Sequence, residues 1–204
     1  PIAHTSLPPY GVNTFLEQEV DEAKVRRTLQ LAKDAGFSWI RQEFPWRDIE
    51  ISAKGDTWDH KWNQSAWDKY DRIVALAGEY GLGIIARLDA PPDWSRQDNR
   101  VFNRPPDNYA DYGDFVYAVV SRYRGKVHYY QIWNEPNIFP EWGNQPVMAS
   151  EYTQLLQVAY RRATEADPFC TVIAAALAPT NAHEPMNRSD VLFLQEMYDA
   201  GARG

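Results

Sequence analysis

The chain has 204 residues, enough to enclose one sizeable hydrophobic core, and we expect residues 1–204 to form a single domain. Hydrophobic residues make up 44% of it and charged residues 24%, and its formal net charge is −7 with no basic cluster beyond short Arg pairs. The acidic charge argues against a nucleic-acid-binding surface, which needs a basic patch. No apolar stretch of the sequence approaches the roughly 20 consecutive residues that a membrane span needs.

Short apolar runs and helical spacing alternate along the chain. The runs predict strands at residues 10–16, 37–44, 83–89, 127–135 and 171–179. Apolar residues spaced for one buried face predict helices at about 20–35, 64–80, 107–124 and 148–166, and a fifth from about 189 to the end. Gly36, Gly81 and Gly125 directly follow the first three helices, where a left-handed residue commonly ends a helix.

This alternation predicts an α/β fold with parallel strands and right-handed crossovers. Two architectures satisfy it: a doubly wound open sheet, or a TIM (β/α)₈ barrel truncated to about its first five βα units. The first strand is not followed by the Gly-x-Gly-x-x-Gly of dinucleotide-binding sheets. The long loops all leave the carboxyl ends of strands, where barrel enzymes build their sites, so the barrel is favoured. Five units leave two open edges, so we expect the N-terminal portion of a longer barrel.

Polar side chains should meet where the carboxyl ends of the parallel strands come together. The candidates at these ends are Asn13, Arg41, Glu43, Asp89, Asn134, Glu135 and Asn181, with Trp46, Trp94, Trp133 and Trp142 nearby. Amides and carboxylates can bind sugar hydroxyls, and indole rings are flat walls for a pyranose. A general acid for a glycosidic oxygen needs a carboxyl whose pKa is raised by burial or by a second carboxylate. The sequence therefore predicts a carbohydrate-binding pocket.

Several of these polar residues also have a structural explanation. Arg41 could be paired with Glu43 or Asp48, since a charge inside a barrel needs a partner. Asp89 precedes Ala-Pro-Pro and could cap a turn or a helix. Glu135 precedes a proline, which predicts an extended conformation at a strand tip.

The remaining residues of the pocket are also open to two interpretations. Asn134 and Glu135 could belong to a polar turn without a chemical role. Trp133 ends an apolar run and suits a core position, whereas Trp94 lies in a Pro-rich loop and suits a ligand-facing one.

A metal centre or another cofactor is not expected. Cys170 is the single cysteine, and the His residues have no metal-ligand spacing. The chain starts at Pro1 without Met, so localisation stays open; secretion or attachment to the cell envelope would follow if a leader was removed. The sequence does not indicate an oligomeric state.

Four segments together resemble clan A glycoside hydrolases, which are retaining (β/α)₈ barrels that include family 5 cellulase-type and family 39 β-xylosidase-type enzymes. Trp133–Asn137, at the end of the fourth predicted strand, resembles their acid/base signature Trp-Asn-Glu-Pro-Asn. Gly11–Asn13 and Trp39–Arg41 on the first two strands, and Pro91–Trp94 after the third, resemble the matching clan segments. The resemblance spans essentially the whole chain.

The resemblance implies a retaining glycosidase that acts on a β-linked oligo- or polysaccharide. Glu135 would protonate the departing oxygen and then activate water, Asn134 would bind the sugar 2-hydroxyl, and Arg41 would lie near the nucleophile. That nucleophile, a Glu on the seventh strand in the clan, would lie beyond this chain. The alternatives are a non-catalytic carbohydrate-binding barrel and an inverting hydrolase with Asp89 or Glu43 as base.

Overall fold

The computed structural model describes residues 8–98, 101 and 103–203. Its central sheet has five strands: β1 (Gly11–Thr14), β2 (Trp39–Pro45), β3 (Gly83–Asp89), β4 (Tyr129–Ile132) and β5 (Thr171–Ala174). Each strand is followed by a principal helix: α1 (Glu22–Asp34), α2 (Asp68–Glu79), α3 (Tyr109–Arg122), α4 (Ala149–Ala166) and α5 (Asp190–Asp199).

The order of the strands decides between the two architectures. All neighbouring strands are parallel, and they pair in the sequential order β1-β2-β3-β4-β5. A doubly wound sheet reverses its strand order at a switch point, whereas consecutive units of a (β/α)₈ barrel do not. The prediction of barrel-type βα units is therefore confirmed. In the described part of the chain β1 and β5 are the edges of this sheet.

The helices begin and end where local chemistry favours it. Asp21 and Asn108 cap α1 and α3 by accepting hydrogen bonds from the second helical N–H, at 2.9 and 3.0 Å. Gly36, directly after the cap of α1, has a φ of +81°, as its position in the sequence predicts. None of the helices among the described residues is both long and apolar enough to cross a bilayer.

One face of the sheet packs against the helices and forms the core. Alternate strand residues such as Ile40, Phe44, Leu88 and Ile132 are fully buried on this face. Strand side chains alternate between faces, so the residues between them point to the other side. That other face carries Arg41, Glu43, Arg87 and Gln131.

The structure corrects several predicted boundaries. β4 ends at Ile132 and β5 at Ala174, before their predicted ends, and α5 ends at Asp199 instead of continuing to the end of the chain. Residues 64–65 pair with Trp58–Asp59 in a short hairpin instead of opening α2. A second hairpin joins His183–Glu184 to Asn187–Arg188, and one helical turn, Trp46–Ile49, follows β2. These short elements lack the periodic pattern of the longer strands and helices, and the second hairpin also bonds to the loop after β4, from the Arg188 N–H to the Asn137 carbonyl oxygen.

Candidate active site

A row of charged and amide side chains crosses the face of the sheet that lies away from the helices. Arg41 and Glu43 belong to β2, Arg87 to β3 and Gln131 to β4. The strand register pairs Glu43 with Arg87, and Arg87 with Gln131. The row therefore lies at neighbouring positions near the carboxyl ends of three strands.

Arg41 is held by three amide oxygens from three segments. Its Nε donates to Gln131 Oε1 at 2.7 Å, its Nη2 to Asn134 Oδ1 at 2.8 Å and its Nη1 to Asn13 Oδ1 at 3.3 Å. Burial lowers the pKa of Arg41 from its ordinary value, and the charge of Arg87 lowers it further. The guanidinium thus fixes the orientation of the Asn134 side chain at the end of β4.

The two structural pairings considered for Arg41 are wrong. Glu43 contacts Arg87 through its Oε2 and the Arg87 Nη2. Asp48 accepts hydrogen bonds from Lys69 Nζ at 2.8 Å and from the Tyr70 hydroxyl at 3.1 Å. The hydrogen-bond partners of Arg41 among the described residues are neutral amides, and the negative charges of Asp89, Glu135 and Glu43 raise its pKa without forming an ion pair at contact distance.

Asp89 is the most buried carboxyl of the row, with 6% of its surface exposed. Its Oδ2 lies 2.8 Å from Arg87 Nε. Burial raises the pKa of Asp89 well above its usual range, the charge of Arg87 opposes this, and the charge of Glu43 and a hydrogen bond with it raise the pKa further. Burial and the neighbouring Glu43 therefore work against ionisation of Asp89, and the contact with Arg87 works in its favour.

Glu135 lies in a turn and not in an extended strand. Its φ is +44°, and that of Trp133 is +71°, so the prediction of an extended Glu135 is wrong. The Glu135 N–H donates to the carbonyl oxygen of Ala176 at 2.9 Å, and its own carbonyl accepts from the Ile138 N–H at 3.2 Å. Ala90, after β3, also has a positive φ of +53°. Non-glycine residues in this region cost on the order of 1–3 kcal/mol each and cluster at functional sites.

Asn137 anchors the turn that carries Glu135, a role that the sequence analysis missed. The side chain is fully buried, and its Nδ2 donates to the carbonyl oxygens of Ala178 and Arg188, both at 2.9 Å. Its Oδ1 accepts from the Ala178 N–H, also at 2.9 Å. The amide thus ties the segment after β4 to the segment after β5 and to the second hairpin.

The tryptophans do not occupy the expected positions. Trp133 is 1% exposed, Trp142 is 0% exposed, and their rings pack edge to face at 5.4 Å. A buried indole offers no face to a ligand, so Trp133 occupies the core position that its apolar run suits, and neither Trp133 nor Trp142 is the substrate-binding residue that was also proposed. Trp94 is partly buried: its Nε1 donates to the carbonyl of Glu50 at 2.8 Å and its ring packs on Trp46 at 5.3 Å. These contacts join it to the core rather than to the row around Arg41.

Glu141 is a second residue that the sequence analysis missed. It is partly buried, and its Oε2 accepts a hydrogen bond from Asn103 Nδ2 at 3.1 Å. Burial raises the pKa of Glu141, a hydrogen bond from Asn134 lowers it, and the charge of Glu135 raises it. The only sequence signal was an acidic residue in the loop after the fourth strand, six positions past Glu135.

Comparison with known proteins relates the chain to glycoside hydrolases. No protein-family model matches it. The beta-glucosidase-like protein SFR2 (chloroplastic) of Oryza sativa subsp. japonica is 28% identical over 113 residues, which are 54% of this chain and 17% of the rice protein.

Two solved structures share the fold. A GH39 β-xylosidase from Caulobacter crescentus superposes with a TM-score of 0.65 at 17% identity, covering 95% of this chain and 44% of that chain. GH5_18 from Streptomyces cattleya, solved in complex with GlcNAc, gives a TM-score of 0.62 at 15% identity, covering 88% and 47%. The chain spans less than half the length of each of these proteins. Its fold is that of part of a TIM-barrel glycoside hydrolase.

Proposed function

We propose that this chain forms part of a retaining glycoside hydrolase that cleaves the O-glycosidic bonds of a β-linked oligo- or polysaccharide. The observation that carries the proposal is the Asn134-Glu135 pair directly after the fourth parallel strand, with Asn134 held by Arg41 at 2.8 Å. The glycosidase fold and the glycosidase names among similar proteins support it. Under this proposal residues 1–204 are the N-terminal portion of one barrel domain, and its partner is a carbohydrate.

Glu135 acts first as acid and then as base. The nucleophilic carboxylate, which we place outside residues 1–204, attacks the anomeric carbon while the bond to the leaving oxygen breaks. Glu135 gives its proton to that oxygen, and the sugar becomes an ester of the nucleophile. Glu135 then takes a proton from water, whose oxygen attacks the anomeric carbon and releases the nucleophile. The acid and the nucleophile should lie about 5–5.5 Å apart.

The neighbours of Glu135 support this role. Asn134 Oδ1 is occupied by Arg41, so its Nδ2 is the group that can meet the sugar 2-hydroxyl. The positive charge of Arg41 favours ionised carboxylates around it, including the nucleophile. Asn13 and Glu43 complete the polar surface on which the sugar is expected to lie.

The inverting alternative is less well supported. A base must be ionised before it can take a proton from water, and burial, which raises the pKa of Asp89 well above its usual range, works against that ionisation. Glu43, the other candidate, contacts the Arg87 guanidinium. Both residues therefore fit a role in shaping the charge of the site.

Replacing Glu135 tests the proposal. In the full-length protein, Glu135→Gln should lower the hydrolysis of an unactivated glycoside by roughly 10²–10⁴-fold, because the leaving oxygen is no longer protonated. A dinitrophenyl glycoside needs little protonation and should keep much more of its first-step rate. Glu184→Gln, at an exposed hairpin position, is the matched control.

Two results would overturn the assignment. Equal activity of Glu135→Gln and parent on the unactivated glycoside would remove Glu135 from the chemistry. A parent protein that binds oligosaccharides without hydrolysing them would support the carbohydrate-binding alternative.

A further inference from the structure

Gln131 is a buried amide within the row of polar side chains on the sheet. It lies on β4 with 5% of its surface exposed, and its neighbour in the strand register on β3 is Arg87. A buried amide costs stability unless its polar atoms find hydrogen-bond partners. The partners of Gln131 therefore show which parts of the site this side chain holds in place.

The two polar ends of Gln131 bind two different parts of the candidate site. Its Oε1 accepts a hydrogen bond from Arg41 Nε at 2.7 Å, and its Nε2 donates one to the carbonyl oxygen of Trp133 at 2.8 Å. Arg41 lies two strands away on β2, whereas Trp133 is the first residue after β4. One side chain thus joins the middle of the sheet to the turn that carries Glu135.

These two contacts allow only one orientation of the Gln131 amide. A guanidinium has only donors and a carbonyl oxygen only accepts, so the amide oxygen must face Arg41 and the amide nitrogen must face Trp133. In the flipped orientation the NH₂ group would face the Arg41 donors and the amide oxygen would face the Trp133 carbonyl. Both hydrogen bonds would then be lost, so the contacts fix the side chain in one orientation.

Gln131 also closes a ring of contacts around the residue before Glu135. Arg41, which binds Gln131 through Nε, binds Asn134 Oδ1 through Nη2 at 2.8 Å. From Asn134 the backbone leads directly to the Trp133 carbonyl, which accepts from Gln131 and completes the ring. The ring includes the peptide bond between Trp133, whose φ is +71°, and Asn134. Removing the amide would open the ring on both sides of this peptide bond.

We propose that Gln131 is a positioning residue for the turn that carries Asn134 and Glu135. It acts through the Arg41 guanidinium and the Trp133 carbonyl oxygen, and it need not touch the sugar because both ends of its amide are bound within the protein. The catalytic part of this inference rests on the proposed function, in which Glu135 protonates the leaving oxygen. A misplacement of about 1 Å can cost up to roughly 100-fold in rate, so the loss of this support should be measurable.

Two substrates that differ in their leaving group test this role in the full-length protein. Gln131→Met keeps the length of the side chain but removes the amide acceptor and the amide donor. It should lower kcat/KM for an unactivated glycoside on the order of tenfold, because Glu135 is no longer held where it can protonate the leaving oxygen. For a dinitrophenyl glycoside, which needs little protonation, the loss should stay below about threefold. Equal losses on the two substrates would overturn the proposal, since a general disturbance of the fold lowers both alike.

Gln131→Glu gives a second test that does not depend on the folding of Gln131→Met. At neutral pH its carboxylate can still accept from Arg41 Nε, but it places an oxygen where the NH₂ group now binds the Trp133 carbonyl. It should therefore show the same preferential loss on the unactivated glycoside. Gln30→Met, at an exposed position on α1, is the matched control and should keep both rates within about twofold of the parent. Rates of Gln131→Glu equal to those of the parent would refute the positioning role.

A measurement without catalysis separates this inference from the proposed function. The Asn134 side-chain NH₂ signals, assigned by their loss in Asn134→Ala, should shift in the ¹⁵N–¹H spectra of both Gln131 variants but not in that of Gln30→Met. Unchanged signals would refute the positioning role while leaving the assignment of Glu135 intact. Shifted signals in a protein that hydrolyses no glycoside would support the positioning role and refute the proposed function.

Discussion

Asn137 should contribute to stability far more than an average polar residue. Its side chain is fully buried and makes three hydrogen bonds of 2.9 Å to the backbone of Ala178 and Arg188. A buried hydrogen bond contributes about 1 kcal/mol net, and the cost rises when a buried partner is left unsatisfied. Asn137→Ala should therefore lower the free energy of unfolding by about 3 kcal/mol.

Urea unfolding followed by tryptophan fluorescence measures this change. The matched control is Asn181→Ala, at an exposed position, which should stay within about 0.5 kcal/mol of the parent. Asn137→Asp should be no more stable than Asn137→Ala at neutral pH, because a carboxylate would face the two carbonyl oxygens that Nδ2 now binds. If Asn137→Ala lost less than about 1 kcal/mol of unfolding free energy, the reasoning would be refuted. The backbone groups that Asn137 binds would then have found other hydrogen-bond partners in the variant.

Two further predictions concern the sheet face. A Cβ on Gly83 would lie 2.3 and 2.4 Å from ring carbons of Trp39, so Gly83→Ala should destabilise the protein by about 1–3 kcal/mol in urea, and Trp39→Leu should remove most of this penalty. The folded-state pKa of Asp89 is raised, so its stabilising contribution is complete below the unfolded value of about 3.9 and is lost as pH rises toward the folded pKa. The stability of Asp89→Asn relative to the parent should therefore increase from pH 4 to pH 7, as urea unfolding at each pH would reveal.

Opposite results would correct the interpretation in each case. If Gly83→Ala left the free energy of unfolding unchanged, the Trp39 ring would be able to move away from the strand at no cost. If the difference in free energy of unfolding between Asp89→Asn and the parent stayed constant over pH 4–7, Asp89 would be ionised throughout. Its role as a base would then be open again.

The sequence predicted the parts of the fold that have local signals. Apolar runs and helical periodicity located all five sheet strands and all five principal helices, and the long loops after strands indicated the barrel order. The short hairpins and the early ends of β4 and β5 could not be found in this way. The hairpin at His183–Glu184, for example, is held by Asn137 through the Arg188 carbonyl, a contact between segments 51 residues apart.

The candidate site was predictable to a similar extent. Because parallel strands end at one edge, Asn13, Arg41 and Asn134 were expected to lie close together, and they share hydrogen bonds. The apolar run before Trp133 indicated its core position, but no local signal showed that the Trp142 ring is also fully covered. Asn103 and Glu141 escaped notice because they meet only after the loops that follow β3 and β4 have folded together.

The loop around Glu135 is rigid because independent contacts hold it from several sides. Trp133 and Glu135 both have positive φ values, which cost on the order of 1–3 kcal/mol each. Such a conformation persists only when the surroundings favour it by more than that. Five hydrogen bonds hold this loop: three from Asn137, the 2.9 Å bond from Glu135 to Ala176 and the 2.7 Å bond from Trp133 to Glu141. At about 1 kcal/mol each, their summed free energy is comparable to the cost of the two strained residues. Asn137→Ala should therefore also weaken the placement of Glu135, and the loss of activity should exceed the loss expected from the unfolded fraction alone.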